Sequence, residues 1–156
     1  MRTARPGTRT GAGAEIEGEM DDRVKAFFVE YERANSTSDL SAMGRLYADT
    51  FMFAGTQGVQ AVKREEFLAI LPTMKQRFAA MGVSGTELHT VDAKPLDPRY
   101  FLATVDWRVN LLAGKHVDAT ATYILAGVQG DTLTIVFQMD HQDLASVIQD
   151  RLSLPR

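Results

Sequence analysis

The chain has 156 residues, 45% of them hydrophobic and 24% charged, with a net charge of −3 and no cysteine. That length buries a core unaided, and the missing cysteine excludes disulfide frameworks, thiolate catalysis and Cys-ligated zinc. The acidic balance argues against a nucleic-acid surface and no apolar run approaches the ~20 residues of a membrane span, so a cytoplasmic protein with neither partner is expected.

Residues 1–20 hold Gly, Thr, Arg and Pro with one large apolar residue before Met20, Ile16. They cannot bury themselves and are expected to form a disordered extension, with Met20 a candidate natural start and no apolar stretch of the kind a secretory signal needs. From Asp21 the spacing turns helical, with Val24, Phe27, Phe28 and Tyr31 on one stripe. "NSTSD" ends this helix, and Ser38 or Asp39 can cap the next. That second helix turns Leu40, Met43, Leu46 and Tyr47 inward.

"FMFAG" reads as a brief strand and "TQGVQAV" as a loop or a short second strand. A third helix follows from about Lys63 to Met81, with Phe67, Ile70, Leu71, Met74, Phe78 and Met81 on one face. Pro72 within it predicts a kink or break, and Gly82 a stop. Residues 83–94, 99–112, 116–129 and 132–140 are strand-like, rich in Val, Thr, Ile, Phe and Tyr. Turns at "KPLDPR", "AGK" and "QGD" join them into an antiparallel meander. Leu144, Val147, Ile148 and Leu152 form the stripe of a short tail helix, which Asp140 could cap. The pattern predicts one α+β domain over 21–152, with 153–156 as a tail. A cone-shaped, bent antiparallel sheet would wrap three N-terminal helices, with a short C-terminal helix beside it.

The order of elements, carried by "FFVEYERANSTSDLSAMGRLYADTFMF", "YFLATVDWRVNLLAGK" and "TYILAGVQGDTLTIVFQMDHQDL", resembles the nuclear transport factor 2-like superfamily and its SnoaL-like, polyketide cyclase-like branch. The resemblance covers roughly residues 21–144 and implies a cystatin-like α+β barrel. Compared with ketosteroid isomerase-like members, Tyr31 stands at the matching spacing, eight residues before Asp39. No carboxylate matches their base near Gly55 or their second acid near Ala121 and Thr122, so steroid-type isomerisation is not implied. Limonene-epoxide hydrolase-like members use an Asp-Arg-Asp set. Asp106 and Arg108 share a strand face, but Gln138 stands where the second Asp would be. The ending "HQDL" also resembles a recurring SnoaL-like ending.

Candidate catalytic residues are therefore Tyr31 as an oxyanion donor, Asp106, and His141 for its near-neutral titration. His141 and Asp143 read equally as the corner between sheet and helix. Ordinary alternation along 102–112 puts Ala103, Val105, Trp107, Val109 and Leu111 inside and Asp106 and Arg108 in solvent; the resemblance would turn the polar set inward instead. Phe27, Phe53, Phe67, Trp107, Arg108, Tyr123 and Met139 are the expected ligand-binding lining. His89, His116 and His141 lack paired metal-ligand spacing, so no metal and no cofactor is expected. Two functions remain open: binding a small apolar metabolite, with or without cofactor-free cyclisation, dehydration or hydration, and a non-enzymatic dimerisation or ligand-binding domain. A homodimer through the sheet is expected under either.

Overall fold

The computed structural model describes the backbone of residues 11–127 and 132–153, with side chains from residue 22 onward. Helix α1 spans Gly11–Ser36, α2 Leu40–Leu46, α3 Arg64–Ala80 and α4 Leu144–Ser153; the strands are β1 Tyr47–Gly55, β2 Gly58–Lys63, β3 Val83–Asp97, β4 Tyr100–Leu111, β5 His116–Ala126 and β6 Thr134–Asp140. Helix α1 begins ten residues before Asp21, where the helical spacing begins. Residues 1–10 of the expected extension, residues 154–156 of the tail and the whole "QGD" turn lie outside the described residues.

The architecture is α+β, as the pattern predicts, with one open six-stranded sheet in the order β2-β1-β6-β5-β4-β3. Strands β3 to β6 form the antiparallel meander. The sheet is not wholly antiparallel: β1 joins β6 in parallel and brings β2 with it as an edge hairpin. No local sequence signal announces that pairing, since a parallel partner is reached only through long intervening chain.

Alternation decides which face is wet. Phe101, Ala103, Val105, Trp107, Val109 and Leu111 of β4 are buried while the residues between them are half-buried. The inner face packs on α1, whose stripe is real: Val24 and Phe28 are fully buried and Phe27 is 8% exposed. Burying such side chains is worth roughly 1.5–3 kcal/mol each. Glu32 on the same helix accepts the backbone N–H of Leu88, pinning α1 to β3.

Asp39 caps α2 as expected, accepting from the Ala42 N–H at 3.0 Å. Gly44 lets α2 lie close on α3, because a Cβ there would stand 3.0 Å from Leu68 Cδ1. Tyr47 is the first residue of β1 rather than part of α2, and Leu40 is exposed rather than inward. Helix α3 runs unbroken through Pro72; it buries Leu71, while Ile70 and Met74 of the expected apolar face are exposed. Gly82 stops the helix at φ +108°, a conformation costly for any side chain. Among the described residues no helix is long and apolar enough to cross a membrane.

A second core cluster joins the far end of the sheet to α4. Val109, Leu111 and Val117 meet the fully buried Ile148, with Phe78, Met81, Leu144, Val147 and Leu152 packed around them. Asp140 does not cap α4. That position falls to Asp143, which accepts from the Ser146 hydroxyl at 2.8 Å and, through its carbonyl, from the Val147 N–H at 3.1 Å.

Candidate functional site

The sheet separates the expected site into two groups. Tyr31, Trp107 and Tyr123 meet on the inner face and line a cavity of about 170 Å³ with Asn35, Thr86, Gln138, Asp140 and Gln142. Phe53 lines a second cavity, of about 360 Å³, between the β1–β2 turn, Phe78 and the start of α4. Phe27 and Phe67 belong to the core: Phe27 stands edge-on to Phe28 at 5.0 Å, and Phe67 packs on Tyr47 at 4.7 Å and Phe51 at 5.5 Å between ring centroids.

Asp106, Arg108, His141 and Met139 lie on the other face. Asp106 pairs in register with Thr90 and Thr120 and accepts both hydroxyls, at 2.7 and 2.8 Å. These bonds hold its carboxyl below the usual carboxylate range, Thr90 contributing most. Arg108 faces Asp118 at 3.6 Å, too long for a hydrogen bond. His141 Nε2 lies 2.7 Å from the Thr122 hydroxyl, and its backbone N–H donates to the Thr120 carbonyl. The inward reading of Asp106 and Arg108 is thus corrected: the apolar partners on the same strand fill the inside, where an unpaired charge would be costly. His141 is the structural corner.

The exchange on β6 has a local cause. Leu125 pairs with Ile135 and Ile124 with Phe137, leaving Val136 as an extra residue. A bulge of one residue shifts the phase of everything after it. Ile135 points inward, but beyond the bulge Phe137 and Met139 point outward, and Gln138 and Asp140 enter the cavity. Met139 therefore lines nothing inside, while Asp140 becomes a site residue that periodicity alone could not reveal.

What converges inside is a directed chain of hydrogen bonds. The Tyr47 hydroxyl donates to Gln138 Oε1 at 2.8 Å, and Gln138 Nε2 donates to Asp140 Oδ1 at 3.2 Å. Tyr47 has one proton, so its 2.9 Å contact with Tyr31 makes Tyr31 the donor. Trp107 Nε1 donates to the Tyr123 hydroxyl at 3.2 Å. Burial pushes the Tyr31 phenol up to about 12 and raises Tyr47 and Tyr123 as well, so all three stay protonated at neutral pH. Burial also raises the Asp140 carboxyl, opposed by the bond from Gln138. Sequence reasoning missed Tyr47, Asn35, Thr86 and Gln142 as site residues, because they meet only through the tertiary fold.

No protein-family model matches the sequence, and no curated protein does. Solved structures do. An NTF2-like protein with a cystatin-like fold from Novosphingobium aromaticivorans superposes with a TM-score of 0.65 at 13% identity, covering 91% of this chain and 97% of that one. The chain has the NTF2-like fold. Aln2 from a Streptomyces species superposes on this NTF2-like chain with a TM-score of 0.64 at 14% identity, covering 85% and 96%. An NTF-2 like protein of unknown function from Shewanella oneidensis gives 0.61 at 16%, covering 76% and 96%. At these identities the likeness is one of fold, and NTF2-like architecture by itself does not name a chemistry.

Proposed function

We propose that the inner cavity binds a small, largely apolar molecule and that Asp140 moves a proton on it without a cofactor. The observation that carries this reading is Asp140 itself. It is a partly buried carboxyl whose pKa burial raises, anchored by one amide and placed beside tyrosine hydroxyls in an aromatic-walled cavity. A raised pKa strengthens a carboxylate as a base.

Tyr31 retains its expected role as donor to a developing oxyanion, with one condition. Its proton points at Tyr47, so a ligand oxygen must take that bond over. The products such a pair can reach are those of enolisation, cyclisation, dehydration or hydration, each needing one base and one donor.

Trp107 is the only tryptophan in the chain and lines the cavity, so its fluorescence reports occupancy directly. The first test follows deuterium uptake from D2O at the acidic carbon of 2-tetralone by NMR, with Trp107 emission read alongside. Acceleration that falls about 100-fold or more in Asp140→Asn supports proton transfer by this residue. Binding without acceleration, or acceleration unchanged in that variant, overturns the catalytic part and leaves a binding domain.

The expected homodimer has its own support. Across the outer face Leu102, Ile124, Phe137 and Met52 align in register. Met52 is 39% exposed and the others are half-buried, an apolar row that a second copy would cover. Sedimentation of Phe137→Lys should give a monomer if the row is the interface. An unchanged mass would rule this face out.

A further inference from the structure

We infer that the molecule bound at Asp140 is elongated and carries no carboxylate or phosphate, with a ring system at one end and hydroxyl or carbonyl groups at the other, each end in its own chamber. The inference rests on the small-molecule reading above and adds to it the ligand's shape and charge.

Size argues first. The inner cavity, about 170 Å³, falls short of the roughly 300–1,000 Å³ that sites for metabolite-sized ligands occupy. The outer cavity, about 360 Å³, would hold such a ligand but lacks the tyrosine cluster. The two are not independent: Asp140, Gln142 and Leu144 line both. Those three side chains stand where the two chambers adjoin, and the proposed ligand passes this waist to occupy both.

Chemistry argues second. The inner chamber offers the rings of Tyr31, Trp107 and Tyr123 with Ala119, Ala121 and Val109 between them. Flat apolar groups gain there from burial and from offset ring packing. The outer chamber is bounded by Thr56, Gln57, Gln60 and the backbone of the β1–β2 turn, which can donate to and accept from hydroxyls and carbonyls. Those residues are exposed, so a polar ligand group there keeps partners rather than losing them.

Charge argues third. Among the residues lining either chamber, Asp140 and Asp143 are the ionisable acids and there is no Lys or Arg. A ligand carboxylate or phosphate would meet like charge with no guanidinium or ammonium to offset it.

Calorimetric titration with three related probes separates the possibilities: 2-naphthol, its β-D-glucopyranoside and its β-D-glucuronide. The expected order is the glucoside about tenfold tighter than naphthol, and the glucuronide about tenfold weaker than the glucoside. Gln60→Phe or Gln57→Phe, both at exposed positions, should lower the ratio of glucoside to naphthol affinity. Ala119→Leu should weaken both probes and keep the ratio. Naphthol binding as tightly as the glucoside overturns the two-chamber ligand alone, and a glucuronide that binds as well as the glucoside overturns the exclusion of anions. Binding of neither naphthol nor the glucoside overturns the small-molecule reading itself, and this inference with it.

Discussion

Asp106 and Asp140 flank the same strand, β5, with their carboxyls on opposite faces of the sheet, and that difference reverses their titration. Asp140 has a raised pKa in the folded chain, so the folded state holds its proton more tightly than the unfolded one. Its contribution to stability is greatest below the ordinary carboxylate value and is lost as pH rises through the raised one. Asp140→Asn should therefore raise the thermal midpoint at pH 7, with the gain vanishing near pH 3. A midpoint lowered at pH 7 would show that the charged form is the favoured one. Asp106 behaves with the opposite sign. Two threonine hydroxyls depress its pKa, so it stabilises above the ordinary value and loses that effect as pH falls through the depressed one. Solvent on the outer face limits the effect to about 1 kcal/mol or less. Asp106→Asn should leave deuterium exchange and probe binding unchanged; loss of either would return Asp106 to the site. Tyr31 could be read from the sequence because its stripe with Val24 and Phe28 is a local property of one helix. Asp140 could not, because its facing depends on Val136 standing unpaired two strands away from Asp106.

The elements followed their patterns where burial is one-sided and departed where it is not. Strand β4 alternates without interruption, so its two faces are readable residue by residue. Strand β6 carries the bulge, and its apolar Phe137 and Met139 supply the outer face instead of the cavity. Helix α3 tolerates Pro72, an exposed residue whose side of the helix meets solvent, so water can satisfy the carbonyl left without its N–H partner. Helix α4 is more than a tail. Ile148 is fully buried against Val109, Leu111 and Val117, and Leu144 at its start borders both chambers. Ile148→Ala should cost about 2–5 kcal/mol in urea denaturation. A loss below about 1 kcal/mol would mean that α4 only rests on the sheet. Probe affinity should also fall, since the waist at Leu144 is set by how α4 docks.

For the whole molecule, element order and composition were enough to expect an α+β domain with helices against a bent meander. Every strand of that meander could be located from β-branched and aromatic runs between turns. The site was less accessible, because its polar members come from α1, β1 and β3 to β6, and the waist from the β6–α4 corner. Only the assembled sheet brings Tyr31 and Tyr47 within 2.9 Å of each other. The parallel union of β1 with β6 also sets the timing of folding. Residues 47–63 form a hairpin early in the chain, but among the described residues the only strand it pairs with beyond itself is made of residues 134–140. During synthesis the hairpin has to wait, its Phe51 and Phe53 unsheltered by the sheet, until residues 134–140 have left the ribosome. Contacts this distant slow folding and lengthen exposure to aggregation. A chain stopped before residue 134 should thus be digested throughout 47–63 under brief proteolysis, while the full chain resists. The residues that complete the cavity are made after every other strand of the sheet, so the sheet and the site are completed together.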